Sequence, residues 1–125
     1  MKLRFRFEKV ECLAETYEEL APKTVRAIKN ALPITSTANR WGDEIYFETE
    51  INFDEVENSK EVVEIGDVAF WIPGKAICLF FGKTPISDEL IRPASAVNVF
   101  GKIIEGIEEL KKVKEGEKVF VEEIK

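Results

Sequence analysis

Few side chains in this sequence can make or break bonds. Histidine is absent, so the hydroxyls of Thr35, Ser36 and Thr37 have no imidazole base to activate them, and the three in a row read as strand formers. The only cysteines, Cys12 and Cys78, stand far apart with no CxxC spacing. Alone they cannot complete a four-ligand structural zinc site, so the sequence gives no reason to expect a metal. Each lies in an apolar strand-like run, where a free cysteine packs as a small hydrophobe. No residue is singled out as catalytic, and no cofactor is implied.

The segment Arg40, Trp41, Gly42, Asp43 and Glu44 is the most varied in chemical type. One reading is a polar ligand site with an aromatic wall, since small-molecule pockets combine apolar surface with a few charges. The other is a plain hairpin turn around Gly42. Asp43 and Glu44 do not form a catalytic carboxylate pair, because neighbouring strand residues point apart. Further along, Phe70, Trp71, Phe80 and Phe81 make two strands unusually aromatic. Their neighbours face opposite ways, so one set fills a core while the other packs under the helices or lines a groove.

The elements that would position these residues are mostly strands. Leu3, Phe5 and Phe7 alternate with charged residues, the two-residue period of a half-buried strand, and Val10 to Ala14 reads as its hairpin partner. Val25, Ile28 and Leu32 fall at helical spacing between Pro22 and Pro33. Ile34 to Ala38 and Glu44 to Ile51 read as strands joined by a turn, and the charged stretch Asp54 to Glu61 as an exposed loop or edge. Gly66 to Trp71 and Ala76 to Phe81 flank the Pro73–Gly74 turn as central strands. After a Pro-containing loop, Ala96 to Ile104 is a strand with Gly101 at a bulge or close approach. Ile107, Leu110 and Val113 mark a second short helix, and Val119 to Ile124 closes the chain. The expectation is one domain over residues 1–125, mainly β: about eight strands and two short helices. Closing the sheet into a barrel would remove its exposed edges.

Composition narrows the function classes. A chain of 125 residues that is 45% hydrophobic and 34% charged suits one globular domain rather than a disordered segment. Its 24 acidic against 18 basic residues give a net charge of −6, which repels nucleic acid. No uncharged run approaches the roughly 20 apolar residues of a membrane span, and Met1 to Phe7 lacks a signal-peptide core. A cytoplasmic location is the expectation, without nucleic-acid or membrane partners. Glutamate and lysine dominate and glutamine is absent, a balance typical of heat-adapted sources.

Two segments carry a family resemblance. Val99 to Gly106, reading V-F-G-K-I-I-E-G, resembles the cyclophilin signature V-F-G-K-V followed by E-G and a short helix. Phe70 to Gly82 shares the Ile72–Pro73–Gly74 turn with the cyclophilin pattern F-H-R-x-I-P-G-F-x-x-Q-G-G. Gly66 to Pro85, together with Trp41 to Phe47, resembles the small prokaryotic cyclophilin-like proteins, whose biochemical role is not established. The resemblance implies a closed cyclophilin-like barrel with a groove on its wall.

Aligned on the shared turn, the cyclophilin arginine falls at Phe70, the proline-pocket aromatic at Lys75, the glutamine at Cys78 and the histidine at Val97. None of the four keeps the family residue. A cyclophilin weakens the peptide bond before proline with that arginine, and phenylalanine has no hydrogen to donate. The resemblance thus implies ligand-binding positions Phe70, Lys75, Cys78 and Val97 without efficient isomerisation. The expected partner is a peptide or small molecule, with Lys75 favouring an anionic group. Altered isomerase activity and a protein-interaction subunit are the alternatives, and the oligomeric state is not encoded legibly.

Overall fold

A computed structural model describes all residues, 1–125. The strands are β1 (Lys2–Arg6), β2 (Glu11–Thr16), β3 (Ile34–Thr37), β4 (Asn39–Arg40), β5 (Glu44–Glu48), β6 (Ser59–Lys60), β7 (Asp67–Trp71), β8 (Ala76–Phe80), β9 (Val97–Glu105) and β10 (Lys118–Ile124). Eight of these have four residues or more, and β4 and β6 are two-residue pairings. Helix α1 (Pro22–Ala31) begins on proline, whose missing N–H is not needed in the first turn, and its apolar face buries Val25 and Ile28. The second helix expected, Ile107–Lys112, is a 3-10 helix with only Leu110 buried, and a single 3-10 turn also spans Ile72–Gly74.

All strands join one antiparallel sheet in the order β3-β10-β1-β2-β9-β7-β8-β5-β4, with β6 added to β9. The sheet curls until its ends nearly meet: the Ser36 hydroxyl donates to the Glu48 carbonyl at 2.7 Å, linking β3 to β5. Alternation along the strands sorts side chains by face. Leu3, Phe5, Ile45, Phe47, Val68, Phe70, Ile77, Leu79 and Phe100 fill the barrel and are fully buried. Phe5 and Phe47 meet edge to face across it, ring centroids 6.2 Å apart. The fold is a mainly β, nearly closed barrel.

Two local expectations change in detail, while the charged stretch Asp54 to Glu61 supplies an exposed edge as expected. The strands Ile34–Thr37 and Glu44–Glu48 do not form one hairpin. β3 pairs with β10 and β5 with β8, leaving only the short β4–β5 ladder, because the chain crosses the barrel seam at buried Ala38. Ser59–Lys60, within the charged loop, pairs with β9. The second aromatic set lies under the loop 82–96 rather than under a helix. Gly101 does sit at a close approach: a Cβ there would come within 2.5 Å of the Glu15 carbonyl oxygen.

Candidate functional site

The outer face of β7, β8 and the start of β9 carries Ala69, Cys78, Phe80, Val97 and Val99, which form a second, smaller buried cluster with Val63 from the segment before β7, and Tyr46 and Trp71 pack against it. A strand-rich outer wall this apolar must be covered, and the loop from Gly82 to Ala96 covers it. The loop is tied internally. The Ser87 hydroxyl accepts from the backbone N–H groups of Thr84 at 2.9 Å and Arg92 at 3.0 Å, and the Thr84 hydroxyl donates to the Arg92 carbonyl. Ile91 bridges to Val63, whose N–H donates to its carbonyl at 3.0 Å. Where the loop crosses the wall its side chains are small, Pro93, Ala94, Ser95 and Ala96. They leave a pocket of about 120 Å³, lined by Trp41, Glu44, Tyr46, Trp71, Cys78, Pro93, Ala94 and Val97.

Local structure sets each wall. Trp41 and Glu44 flank the Gly42–Asp43 turn and exchange backbone hydrogen bonds at 2.9 and 3.2 Å. Residues paired in this way project to one side, which brings the indole beside the carboxyl. Gly42 has φ +62° and lies so close to the loop that a Cβ would meet the Lys83 carbonyl oxygen at 2.8 Å. Glu44 and Tyr46 share a face of β5, and Tyr46 is directly opposite Cys78 on β8. Trp71 ends β7 with its ring over Gly74, where a Cβ would come within 2.5 Å of it. Its indole N–H donates to the Ser95 hydroxyl at 2.7 Å, fastening the loop to the wall.

Glu44 is the exceptional group. The residue is only 5% exposed, and its Oε1 is buried without a hydrogen-bond partner. Burial pushes its pKa up to about 7, while the neighbouring Cys78 thiol pulls weakly the other way. Cys78 itself is raised well above the usual thiol range, first by burial and then by the adjacent Glu44 charge. It remains a neutral thiol and a poor nucleophile.

Of the positions implied by the resemblance, Cys78 and Val97 meet in this pocket. Phe70 is on the other face of β7, fully buried in the barrel and packed edge to face with Phe53. Lys75 follows the 72–74 turn in a left-handed conformation, φ +50°, outside the pocket, with its ammonium 2.7 Å from Asn52 Oδ1. The Arg40–Glu44 segment divides. Trp41 and Glu44 line the pocket, whereas Arg40 pairs with Asp43 at 3.4 Å, donates to the Val113 carbonyl and stacks over Phe81. Arg92 is occupied by Asp88 at 3.1 Å. Tyr46, Pro93 and Ala94 were not singled out by the sequence. Their one signal was the run of small residues at 93–96 opposite a strand ending in tryptophan.

The sequence matches the cyclophilin-like family over residues 1–122. The chain belongs to that family. Among solved structures it is similar to the solution structure of the hypothetical protein AF2241 from Archaeoglobus fulgidus, at 70% identity and a TM-score of 0.87, covering 98% of this chain and 93% of that one. It also shares its fold with McbB, solved in complex with tryptophan, at 15% identity and a TM-score of 0.77; the match covers 96% of this chain but 44% of McbB. No curated protein matches it significantly. No helix of this cyclophilin-like chain is long and apolar enough to cross a membrane.

Proposed function

We propose that the protein is a small-ligand-binding barrel without efficient prolyl isomerase activity, its ligand seated in the outer-wall pocket beneath the loop 82–96. The observation that carries this reading is the combination of aromatic walls, a tied loop and a buried carboxylate oxygen with no partner, in one concavity. Structural packing alone gives no reason to aim an unpaired acceptor into an apolar space. That McbB, which shares this fold over 44% of its length, is described in complex with tryptophan is in keeping with small-ligand binding by a protein that contains it.

The pocket lacks what proline isomerisation requires. No arginine, lysine or histidine lines it, and Arg92 and Lys75 are engaged elsewhere. Removing one positioned donor to a transition state costs roughly a hundredfold to a thousandfold in rate.

Both tryptophans of the chain, Trp41 and Trp71, line the pocket, so intrinsic fluorescence reports directly on its occupancy. A panel of one-ring compounds, anisole among them, is expected to include members that shift this fluorescence saturably. In parallel, Xaa-Pro peptides are expected to isomerise at the uncatalysed rate. A panel without any response would overturn the binding reading, and a rate proportional to protein concentration would restore an isomerase.

A further inference from the structure

The pocket is lopsided in charge. Glu44 is its only carboxylate and no basic side chain lines it, while Trp41, Tyr46 and Trp71 supply three aromatic surfaces. Aromatic faces attract cations, and an unpartnered carboxylate oxygen accepts most strongly from a charged donor. Anionic ligands, which Lys75 alone suggested, find no counter-charge here. Size narrows the class further. An engineered cavity of about 150 Å³ holds one benzene ring, so a pocket of about 120 Å³ that opens to solvent suits a single ring.

We propose that the pocket recognises a small ring-bearing amine, the ring packed against Trp41, Tyr46 and Trp71 and an N–H donated to Oε1 of Glu44. This rests on the ligand-pocket reading above and names its ligand class. The carboxylate form of Glu44 makes the ion pair, and in the free protein burial holds that group half protonated at about pH 7. Ammonium binding then releases a proton on the acid side of this value. The other titratable groups lining the pocket are the Cys78 thiol on β8 and the Tyr46 hydroxyl on β5. The loop contributes only Pro93 and Ala94 to the lining, and Asp43 is turned to Arg40.

The test titrates the full chain with benzylamine, anisole and benzoate, read by tryptophan fluorescence, and repeats it with Glu44→Gln. Benzylamine is expected to bind wild type ~10-fold to 100-fold more tightly than anisole above neutral pH, with benzoate weakest. Its affinity should fall by up to about tenfold per pH unit on acidification below Glu44's midpoint. Glu44→Gln should remove the preference for benzylamine while anisole binding persists. Calorimetry of wild type below about pH 7, in buffers of different ionisation enthalpy, gives the released proton without any variant. Equal binding of benzylamine and anisole, an undiminished preference in Glu44→Gln, or no proton release would each overturn amine recognition and leave the ligand pocket standing. Silence from all three probes would remove the pocket reading as well.

Discussion

The wall made of β5, β8 and β7 has two faces built from the same residues in alternation, and they meet different fates. Inward, Ile45, Phe47, Val68, Phe70, Ile77 and Leu79 are fully buried and entirely apolar. They pack in one continuous core with Leu3, Phe5, Val119 and Val121 of the opposite strands and with Val25 and Ile28 of the helix. Outward, Ala69, Cys78 and Phe80 pack with Val63 from the segment before β7, and Glu44, Tyr46, Trp71 and Cys78 meet the irregular loop 82–96, whose crossing residues are small. Regular structure against regular structure fills space, since side chains of matching size interdigitate. A loop of prolines, alanines and serines laid over aromatics does not, and the difference in volume is the pocket.

The largest effect that could break this contrast comes from Phe70→Arg, the change suggested by aligning the chain with cyclophilins. If Phe70 faced a groove, the arginine would supply the missing donor and isomerase activity would rise. On the inner face it places an unpaired guanidinium in an apolar interior. Truncating a buried phenylalanine already costs about 3–5 kcal/mol, and the charge adds to that. Urea denaturation should show the variant destabilised by more than about 4 kcal/mol, the loss of a buried phenylalanine being a lower bound. A stable, active Phe70→Arg would mean that the two faces are assigned the wrong way round.

On the outer face, Glu44 makes stability depend on pH. Its folded pKa of about 7 lies above the unfolded value of 4.5. Below the unfolded value the carboxyl is protonated in both states and carries no penalty. As pH rises, the unfolded chain ionises first, so stability falls until the folded pKa is passed. The loss amounts to about 3 kcal/mol at most, because each pH unit separating the folded and unfolded values is worth about 1.36 kcal/mol. Relative to wild type, Glu44→Gln should therefore be more stable at about pH 8 than at about pH 4 by an amount approaching that limit. A difference that does not change with pH would show Glu44 to be solvated.

How much of this was legible follows from the same alternation. The period of Lys2 to Phe7, the helical spacing of Val25 and Ile28 between two prolines, and the V-F-G-K run were enough for the barrel and its family. Parity was not. Phe70 and Trp71 are both aromatic, and a shift of one residue exchanges the face that lines the pocket for the face that fills the core. Glu44 read either as part of a polar ligand site or as part of a plain hairpin turn around Gly42, and nothing in the sequence marked it as buried. Its burial depends on the β5–β8 pairing and on the loop 82–96 arriving from the other side, both long-range contacts. Trp41 and Glu44 did come together as the sequence suggested, but Arg40 turned away to the Val113 carbonyl, a partner contributed by the far end of the chain.

The smallest predicted effect asks whether the two faces open together. Trp71→Phe keeps a ring over Gly74 and removes the indole donor to Ser95, a neutral hydrogen bond worth about 1 kcal/mol. If the loop is a separately stabilised cover, that loss lowers only its own opening free energy. Amides within it that have fixed partners, those of Ser87, Arg92 and Thr84, should then exchange hydrogen about fivefold faster. The amides of β8, held on one side by β5 and on the other by β7, should show a far smaller change. A local response of this kind would let ligands enter by loop opening while the barrel stays closed. Equal acceleration in the loop and in β8 would mean that the cover and the core unfold as one unit, and ligand entry would then have to proceed through the pocket mouth with the loop in place.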